Sequence, residues 1–343
     1  MTIFHKFISK KNFFEELISI FRKLYLYLQR KFVTLSFTHY IIYYMILFPE
    51  AKINIGLNVT RRREDGYHIL QTLFYPINWC DALEILPMSD VNGTDCISTS
   101  DNKVHWYQTG IIVDCDPELN LCVKAYRLLQ ERFPELPAVE MHLEKQIPFG
   151  AGLGGGSSDG AHALLMLRKM FSLDVSDEEL EAMAARMGAD CAFFCRCGNQ
   201  LNTSNNHHKM QAQYCEGIGH ELVLHNLTLQ GKYIVVVKPP FGVSTREAYS
   251  GVHPQMPKIP LDEMLTRPLD EWKDCIHNDF ENSVFPIYPQ LDTIKQTLYK
   301  HGAIYASMSG SGSALFGIFE HEQLDCATWF DEKYIVRGHW ALV

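Results

Sequence analysis

The sequence predicts a protein of mixed helices and strands arranged in two halves. A glycine- and serine-rich loop at residues 148–159 lies between a strand-like run at 139–144 and a helix-like run at 161–170. A second strand, at residues 233–238, is almost continuously apolar and stops at two prolines. This buried strand marks the beginning of the second half.

The first half begins with strands. Residues 53–59 and 81–86 alternate apolar and polar side chains, as strands with one buried face do, and the apolar run 70–77 is also strand-like. Residues 89–118 are polar and predict short strands at most. Residues 120–133 place apolar side chains at helical spacing, which indicates an amphipathic helix.

The remainder of the chain continues the mixture. A capping box of Ser-x-x-Glu opens a predicted helix at 176–187, and the His- and Asn-rich residues 199–213 predict an exposed loop of no assigned function. Further helices are predicted at 244–249, 259–265, 278–284 and 289–301, with a turn at 216–219, a second glycine–serine turn at 306–313 and a strand at 314–319.

The composition is that of an ordinary soluble globular protein. The 343 residues suffice for one large domain or two smaller ones, with 47% hydrophobic and 21% charged residues. The net charge of -9 argues against a nucleic-acid partner, although local Lys and Arg side chains can still accept a phosphate-bearing substrate.

The ten cysteines show no regular framework and predict free thiols in a reducing compartment, the cytoplasm. No second pair accompanies Cys191, Cys195 and Cys197, so we predict no metal site.

Residues 1–44 differ from the rest of the chain. They carry seven Lys or Arg and two Asp or Glu, a net charge of +5 against -14 for the remainder. The apolar run 32–48 has the length of a membrane anchor, but no small-residue cleavage site follows it, and it continues without a linker into the strand that begins at Lys52. We therefore expect residues 1–44 to be a non-native or disordered extension before a start at Met45, and we expect no membrane association.

A phosphate site is predicted at the glycine loop. Glycines let the backbone approach a ligand closely, and free N–H groups at a helix start bind anions. The loop lacks the Lys-Ser/Thr tail of a Walker A motif and the spaced glycines of a dinucleotide site. A flexible Gly/Ser linker is the alternative, but linkers rarely separate a strand from a helix. The candidate residues are Pro148, Phe149, Gly150, Ala151, Gly152, Leu153, Gly154, Gly155, Gly156, Ser157 and Ser158.

The glycine loop and several other stretches of the chain resemble the GHMP kinases, the superfamily of galactokinase and of homoserine, mevalonate and phosphomevalonate kinases. The glycine loop alone indicates only the superfamily. Asp65-Gly66-Tyr67-His68 and Gly188-Ala189-Asp190 narrow it to the kinases that phosphorylate the methylerythritol part of a cytidine diphosphate substrate in the non-mevalonate isoprenoid pathway. Further matches lie at 51–54, 216–219, 238–245 and 308–313, so the resemblance covers about residue 45 to the C-terminus.

The resemblance implies an α+β fold, the two-domain GHMP kinase fold. Its N-terminal, ribosomal-S5-domain-2-like domain corresponds to residues 45–215, and its ferredoxin-like C-terminal domain to residues 216–343. The active site then lies in the cleft between them. The implied reaction uses ATP as co-substrate, with Mg²⁺ carried by ATP to neutralise its charge, and the small-molecule substrate is a cytidine diphosphate. A monomer or weak homodimer is expected.

The resemblance also assigns the catalytic pair. It places the general base on Asp190, with Lys52 beside it, and a base within hydrogen-bond reach assists a hydroxyl nucleophile. From the residues alone, Asp190 could be a helix-end carboxylate and Lys52 a solvated strand lysine. Asp159 is a rival acid, but its place at a helix start fits a dipole or capping role better.

Binding residues follow from the same resemblance. Tyr67 suits stacking on a cytosine, and His68 suits hydrogen bonding to its edge. Tyr249 matches the second aromatic side of the sandwich, although a packed turn tyrosine remains an equal alternative for Tyr67. Asn54 would contact substrate from the strand of Lys52. Asn120 would contact the nucleotide, or cap its helix, or do both.

Additional features bear on this assignment. The turn at 309–313 would build a second wall of the phosphate site, whereas at least two of the arginines at 61–63 are expected to be solvated. The family often has Val-Pro where this chain has Cys191-Ala192, which would loosen the turn that aims the aspartate. Residues 199–213 also look longer than the usual connection.

Two alternative functions stay open: another GHMP small-molecule kinase, and a catalytically inactive protein that only binds nucleotide. Phosphorylation of an alcohol without cytidine would favour the first alternative. The intact Lys52 and Asp190 argue against the second.

Overall fold

The computed structural model describes residues 45–88, 97–202, 211–219 and 221–342. The expected extension at 1–44 and most of the loop predicted at 199–213 lie outside these residues. At its two described ends the loop prediction is wrong, since residues 199–202 are helical, and Ala212 and Gln213 are buried. Over the described part of the chain, none of the helices has both the length and the apolar character needed to span a bilayer.

The first sheet contains five strands in the order β1-β4-β7-β6-β5. Strands β6 and β7 run parallel and the other neighbours are antiparallel. Strand β6 is longer than the short strands predicted for 89–118, because seven of its residues pair with β7. The strands are β1 Met45–Leu47, β4 Ala82–Pro87, β5 Ile97–Ser98, β6 Val104–Gly110 and β7 Val139–Lys145.

Four helices accompany this sheet: α1 Leu121–Arg132, α2 Gly155–Met170, α3 Asp177–Met187 and α4 Ala189–Asn202. Helix α2 begins six residues before its predicted start, since the last glycines of the loop form its first turn. A Cβ at Gly160 would lie 2.7 Å from the Cβ of Leu121, so this glycine lets α2 pack closely on the start of α1. The predicted capping box at the start of α3 is confirmed by reciprocal hydrogen bonds between Ser176 and Glu179.

The second sheet is antiparallel in the order β2-β3-β8-β9. Its long hairpin consists of β2 Glu50–Arg62 and β3 His68–Cys80, followed by β8 Gln213–Glu216 and β9 Glu221–Leu224. The hairpin carries Lys52 and Asn54 in its buried middle and Tyr67 at its exposed turn.

The third sheet is antiparallel in the order β11-β12-β10-β13, as in a ferredoxin-like domain. The described elements thus confirm an α+β fold. The division at residues 215/216, which falls at the end of β8, stays a prediction. The strands are β10 Tyr233–Lys238, β11 Tyr305–Met308, β12 Leu315–Phe319 and β13 Ile335–Ala341; the helices are α5 Thr245–Ser250, α6 Leu261–Met264, α7 Trp272–Cys275, α8 Asp279–Val284 and α9 Pro289–Lys300.

One apolar core joins the second and third sheets. Its buried side chains include Ile53 of β2, Val236 of β10 and Phe316 of β12, together with Ala151 and Leu153 of the glycine loop. Packing these groups away from water stabilises the association of the two sheets. The same packing fixes the glycine loop beside the second glycine–serine turn.

Candidate active site

The glycine loop joins β7 to α2 and has open space beside Gly150 and again beside Gly156. Gly154 is the N-cap of α2 with φ 71°, and no side chain caps this helix start. The N–H groups of the first turn therefore keep their hydrogen-bonding capacity for a ligand. A Cβ at Gly156 would meet nothing within 4 Å, whereas one at Gly152 would lie 1.9 Å from the Ser309 carbonyl oxygen. The loop is thus open at Gly156 and closed against the second turn at Gly152.

The two serines of the loop have different surroundings. Ser158 is fully buried, and its hydroxyl lies 3.4 Å from Nδ1 of His162. The same His162 nitrogen lies 2.8 Å from the Ser158 carbonyl oxygen, which orients the ring beneath the loop. Ser157 is only partly buried. Of the two predicted hydroxyls, that of Ser157 is therefore the one a phosphate can reach.

The second glycine–serine turn is tied directly to the glycine loop. The hydroxyl of Ser309 donates to the Gly152 carbonyl oxygen at 2.8 Å. The backbone N–H of Ala314 donates to the Ala151 carbonyl oxygen at 3.0 Å. The structure therefore brings together the two turns that the sequence predicted as the walls of one site.

Asn278 holds the second turn in place, a role that the sequence did not reveal. Its Nδ2 group donates to the carbonyl oxygens of Met308 and Gly310, both at 2.8 Å, while Oδ1 caps α8 by accepting from the Phe280 N–H. The side chain is 1% exposed. In the sequence, an asparagine before a helix indicates only an N-cap. Its contacts to residues thirty positions away depend on the tertiary fold.

Lys52 and Asp190 form an ion pair, with 3.2 Å between Nζ and Oδ2. The ammonium also donates to Asn54 Oδ1 at 2.7 Å and to the Gly152 carbonyl oxygen at 3.1 Å. The Lys52 side chain is 4% exposed, so the alternative of a solvated strand lysine is wrong. The Asp190 side chain is 30% exposed, which leaves its carboxylate accessible to a substrate.

The turn that presents Asp190 is firmly packed. Asp190 lies in the first turn of α4, and the Cys191 N–H donates to the Gly188 carbonyl oxygen at 3.1 Å. A Cβ at Gly219 would lie 2.8 Å from the Cβ of Ala189, so the turn at 216–219 packs against the same helix start. These contacts hold the aspartate in the absence of the Val-Pro pair common in the family.

Two of the three predicted aromatic residues meet. The rings of His68 and Tyr249 stack with centroids 4.7 Å apart, and Tyr249 packs edge-on against Phe280 at 4.8 Å. Tyr67 is 63% exposed and stays apart from them. Burial raises the pKa of Tyr249 to about 12, with a contribution from the negative charge of Asp190, so this ring lies within electrostatic range of the Lys52–Asp190 pair.

His68 is suited to hydrogen bonding with an uncharged base. Burial, with the positive charge of Arg62, lowers the pKa of His68 and favours its neutral form. A neutral imidazole offers one donor and one acceptor to the edge of a ligand. Arg61, Arg62 and Arg63 are exposed, as expected for most of them, and Arg63 pairs with Asp65 at 2.7 Å.

The predictions for Asn120 and Asp159, the two residues expected at helix starts, have different outcomes. Asn120 is confirmed as an N-cap, since its Oδ1 accepts from the Cys122 N–H at 2.9 Å, while its nucleotide contact stays a prediction. The capping role expected for Asp159 is wrong. Gly154 caps α2, and Asp159 is buried in the second turn, 3.0 Å from the Lys145 ammonium. Its depth also keeps it from reaching a substrate as a base.

The described residues show no group of three or more His, Cys, Asp or Glu side chains arranged to hold a metal ion. The cysteines that the structure describes are free thiols. Burial raises the pKa of Cys191, the residue after Asp190, to about 12. A thiol with such a pKa stays protonated and is a poor nucleophile.

Two family models match the chain. The model of the GHMP kinases N terminal domain matches residues 120–198, and that of the GHMP kinases C terminal region matches residues 261–325. The first range contains Asn120, the glycine loop and Asp190, and the second contains the second glycine–serine turn.

Curated relatives extend the similarity over most of the chain. A 4-diphosphocytidyl-2-C-methyl-D-erythritol kinase of Bacteroides fragilis (strain YCH46) is 48% identical over 279 residues, which is 81% of this chain and 93% of the relative. The protein of the same name from Bacteroides thetaiotaomicron is 46% identical over 295 residues, covering 86% of this chain and 99% of the relative.

Solved structures agree with these relatives. A crystal structure of 4-(cytidine 5'-diphospho)-2C-methyl-D-erythritol kinase aligns with a TM-score of 0.62 at 33% identity, covering 80% of this chain and 90% of that one. The mevalonate kinase of Methanococcus jannaschii aligns with a TM-score of 0.60 at 11% identity, over 86% of this chain and 98% of that one. At 11% identity, the match to the mevalonate kinase indicates a shared fold alone.

Proposed function

This chain belongs to the GHMP kinase family, and from that premise we propose that it transfers the γ-phosphoryl group of ATP to the 2-hydroxyl of 4-diphosphocytidyl-2-C-methyl-D-erythritol. The products are the 2-phosphate and ADP, a step of the non-mevalonate isoprenoid pathway. We expect the enzyme to act in the cytoplasm as a monomer or weak homodimer, without a nucleic-acid or membrane partner.

The observation that carries the proposal is the position of the Lys52–Asp190 pair. Its ammonium contacts the glycine loop through the Gly152 carbonyl oxygen at 3.1 Å, and its carboxylate lies within electrostatic range of Tyr249. A donor phosphate at the loop and an acceptor beside the aromatic pair would therefore meet at Asp190. This is the geometry that a kinase with a cytidine-bearing acceptor requires.

The transfer step uses few protein groups. Asp190 accepts the proton of the substrate 2-hydroxyl while the hydroxyl oxygen forms a bond to the γ-phosphorus. The bond from that phosphorus to the bridging oxygen breaks, and this oxygen leaves with ADP. Phosphoryl transfer depends mainly on positioning and charge neutralisation. Lys52, held by Asn54 and Gly152, keeps the carboxylate oriented and places a positive charge beside the reacting groups.

The ATP side is formed by the glycine loop. The backbone N–H groups from Gly154 to Ser157 and the positive end of the α2 dipole bind the phosphates, and the Ser157 hydroxyl adds a donor. Asn120 contacts the nucleotide from the start of α1. Mg²⁺ bound to ATP supplies the remaining neutralisation of the triphosphate charge.

The acceptor side is formed by the hairpin and α5. The His68 and Tyr249 rings stack on each other, so the base would take the place of the His68 ring. Tyr249 then stacks on the cytosine, His68 hydrogen-bonds its edge, and Tyr67 covers the opposite face from its exposed turn. Asn54 contacts the methylerythritol part beside Lys52. Its amide is held in one orientation, since Oδ1 accepts from the Lys52 ammonium at 2.7 Å and Nδ2 donates to the Thr72 hydroxyl at 3.0 Å.

A coupled ADP-release assay with three acceptors tests this function. The cytidylated methylerythritol should support turnover, while homoserine and mevalonate should not. Turnover with a cytidine-free alcohol alone would identify another GHMP kinase. ATP binding without turnover of any acceptor would support the inactive nucleotide-binding alternative.

A further inference from the structure

A buried cluster of three ionisable side chains lies beneath the glycine loop. Lys145, the last residue of β7, contacts Asp81 and Asp159 through its ammonium, and its Nζ lies 3.0 Å from Asp159 Oδ2. None of the three side chains is more than 4% exposed. Charges are buried at high cost unless their partners are well placed, so the cluster requires an explanation.

Asp81 holds the chain that enters the loop. Its Oδ1 accepts hydrogen bonds from the backbone N–H groups of Gln146, at 2.6 Å, and Ile147, at 2.8 Å. These are the two residues before Pro148, where the glycine loop begins. Hydrogen bonds to a charged carboxylate are stronger than neutral ones, so the entry to the loop is fixed with respect to Asp81.

Lys145 holds the chain that leaves the loop. Its partner Asp159 belongs to the second turn of α2, and a Cβ at Gly155 would lie only 2.9 Å from the Lys145 Nζ. The same Cβ would lie 2.7 Å from Ile147 Cγ2. The ammonium therefore lies directly against the first turn of α2, and both ends of the loop are anchored at one buried point.

The charges of the cluster can balance. Burial raises the pKa of Asp159 well above its usual range; the Lys145 ammonium opposes this rise and the charge of Asp81 adds to it. Burial alone would lower the pKa of Lys145, but the charges of Asp159 and Asp81 outweigh it and raise that pKa. One ammonium, one carboxylate and one protonated carboxyl give a neutral cluster. A net negative charge here would oppose a triphosphate above the helix start.

We propose that Asp81, Lys145 and Asp159 form a positioning clamp that sets the distance between the two ends of the glycine loop and so aims its N–H groups at the ATP phosphates. The inference rests on the proposed function, which assigns this loop to ATP. None of the three side chains touches the ligand, and each acts through the loop backbone. In the clamp, Asp159 serves as a neutral hydrogen-bonding group.

Four variants test the clamp: Lys145→Met, Asp159→Ala, Asp159→Asn and the control Arg168→Met. Asn has the size and donor capacity of a protonated Asp, so Asp159→Asn should keep the wild-type KM for ATP within about twofold. Lys145→Met and Asp159→Ala should raise that KM by about tenfold or more while the KM for the cytidylated acceptor stays within about twofold, because a misplaced loop affects only the ATP side. Arg168 pairs with Asp177 near the other end of α2, at 2.6 Å, so its loss should leave both KM values unchanged.

The split between the two substrates separates positioning from general stability. Unchanged KM for ATP in folded Lys145→Met and Asp159→Ala, with only a lower melting temperature, would overturn the clamp, as would equal damage from Asp159→Asn and Asp159→Ala. If Lys145→Met does not fold, the two Asp159 variants decide alone. Titration of wild type and variants with ATP tests the clamp even without turnover, whereas absent turnover in the wild-type enzyme contradicts the proposed function instead.

Discussion

Replacing Asp190 by Ala should slow the chemistry by orders of magnitude while leaving ATP binding intact. The variant removes the only carboxylate within ion-pair distance of the Lys52 ammonium in the described chain. That ammonium keeps its hydrogen bonds to Asn54, at 2.7 Å, and to the Gly152 carbonyl oxygen, at 3.1 Å. The contact between Lys52 and the glycine loop therefore survives, and the loop should keep its place.

The size of the effect follows from the role of the aspartate. A positioned general base contributes about 10²–10⁴-fold to rate. We therefore expect kcat to fall by about that factor, equivalent to about 3–5 kcal/mol of barrier at 1.36 kcal/mol per tenfold change. The expected Kd for ATP stays within about threefold, as the phosphate contacts are unaltered.

ADP release measures kcat, and titration with a fluorescent ATP analogue measures binding. Asp190→Asn is the matched variant, since it keeps the size of the side chain but cannot accept the proton. A kcat within about tenfold of wild type in both variants would remove Asp190 from the base role. Loss of ATP binding in step with kcat would instead mean that the substitution disturbs the loop.

Three further results are expected. Tyr249→Ala should raise the KM for the cytidylated acceptor by about 5- to 150-fold, the equivalent of about 1–3 kcal/mol of base stacking, with the KM for ATP as the internal control. Asn278→Ala should lower the free energy of unfolding by about 2–3 kcal/mol in urea, because two buried hydrogen bonds, to Met308 and Gly310, and a helix cap are lost together; a loss below about 0.5 kcal/mol would contradict this bridging role. Burial lowers the pKa of His162 from 6.5 to about 4, so the unfolded chain binds the extra proton between these values and stability should fall as pH decreases through that window. Urea titrations of wild type and His162→Gln measure the difference, and parallel pH profiles of the two proteins would refute the assignment.

Local patterns in the sequence were sufficient for the glycine loop and for most elements. The loop residues and the capping box at Ser176 act through the nearest backbone. The alternation in residues 53–59 correctly indicated a strand, but the expectation of a single buried face is wrong, since both faces of β2 are buried from Ala51 to Thr60. The family resemblance supplied the pairing of Lys52 with Asp190, which composition and spacing could not provide. From the residues alone, a solvated Lys52 was the better interpretation.

The clamp beneath the loop depends on tertiary contacts that no local pattern encodes. Asp81 and Lys145 are sixty-four positions apart and meet because β4 and β7 are neighbours in one sheet. One signal was present: Lys145 continues the alternation of Val139, Met141 and Leu143 and therefore points into the core. A lysine at an inward position indicates a buried acidic partner, but not which one. Without that pairing, the sequence around Asp159 indicates only a residue at a helix start.

The central claim is transfer of the γ-phosphoryl group to the 2-hydroxyl of the cytidylated methylerythritol. Phosphorus NMR of the wild-type protein with Mg²⁺, ATP and this acceptor tests it most directly. One new phosphomonoester signal should grow in step with ADP, while the diphosphate signals of the acceptor remain. ADP accompanied only by inorganic phosphate, or no ADP from a protein that still binds ATP, would contradict it.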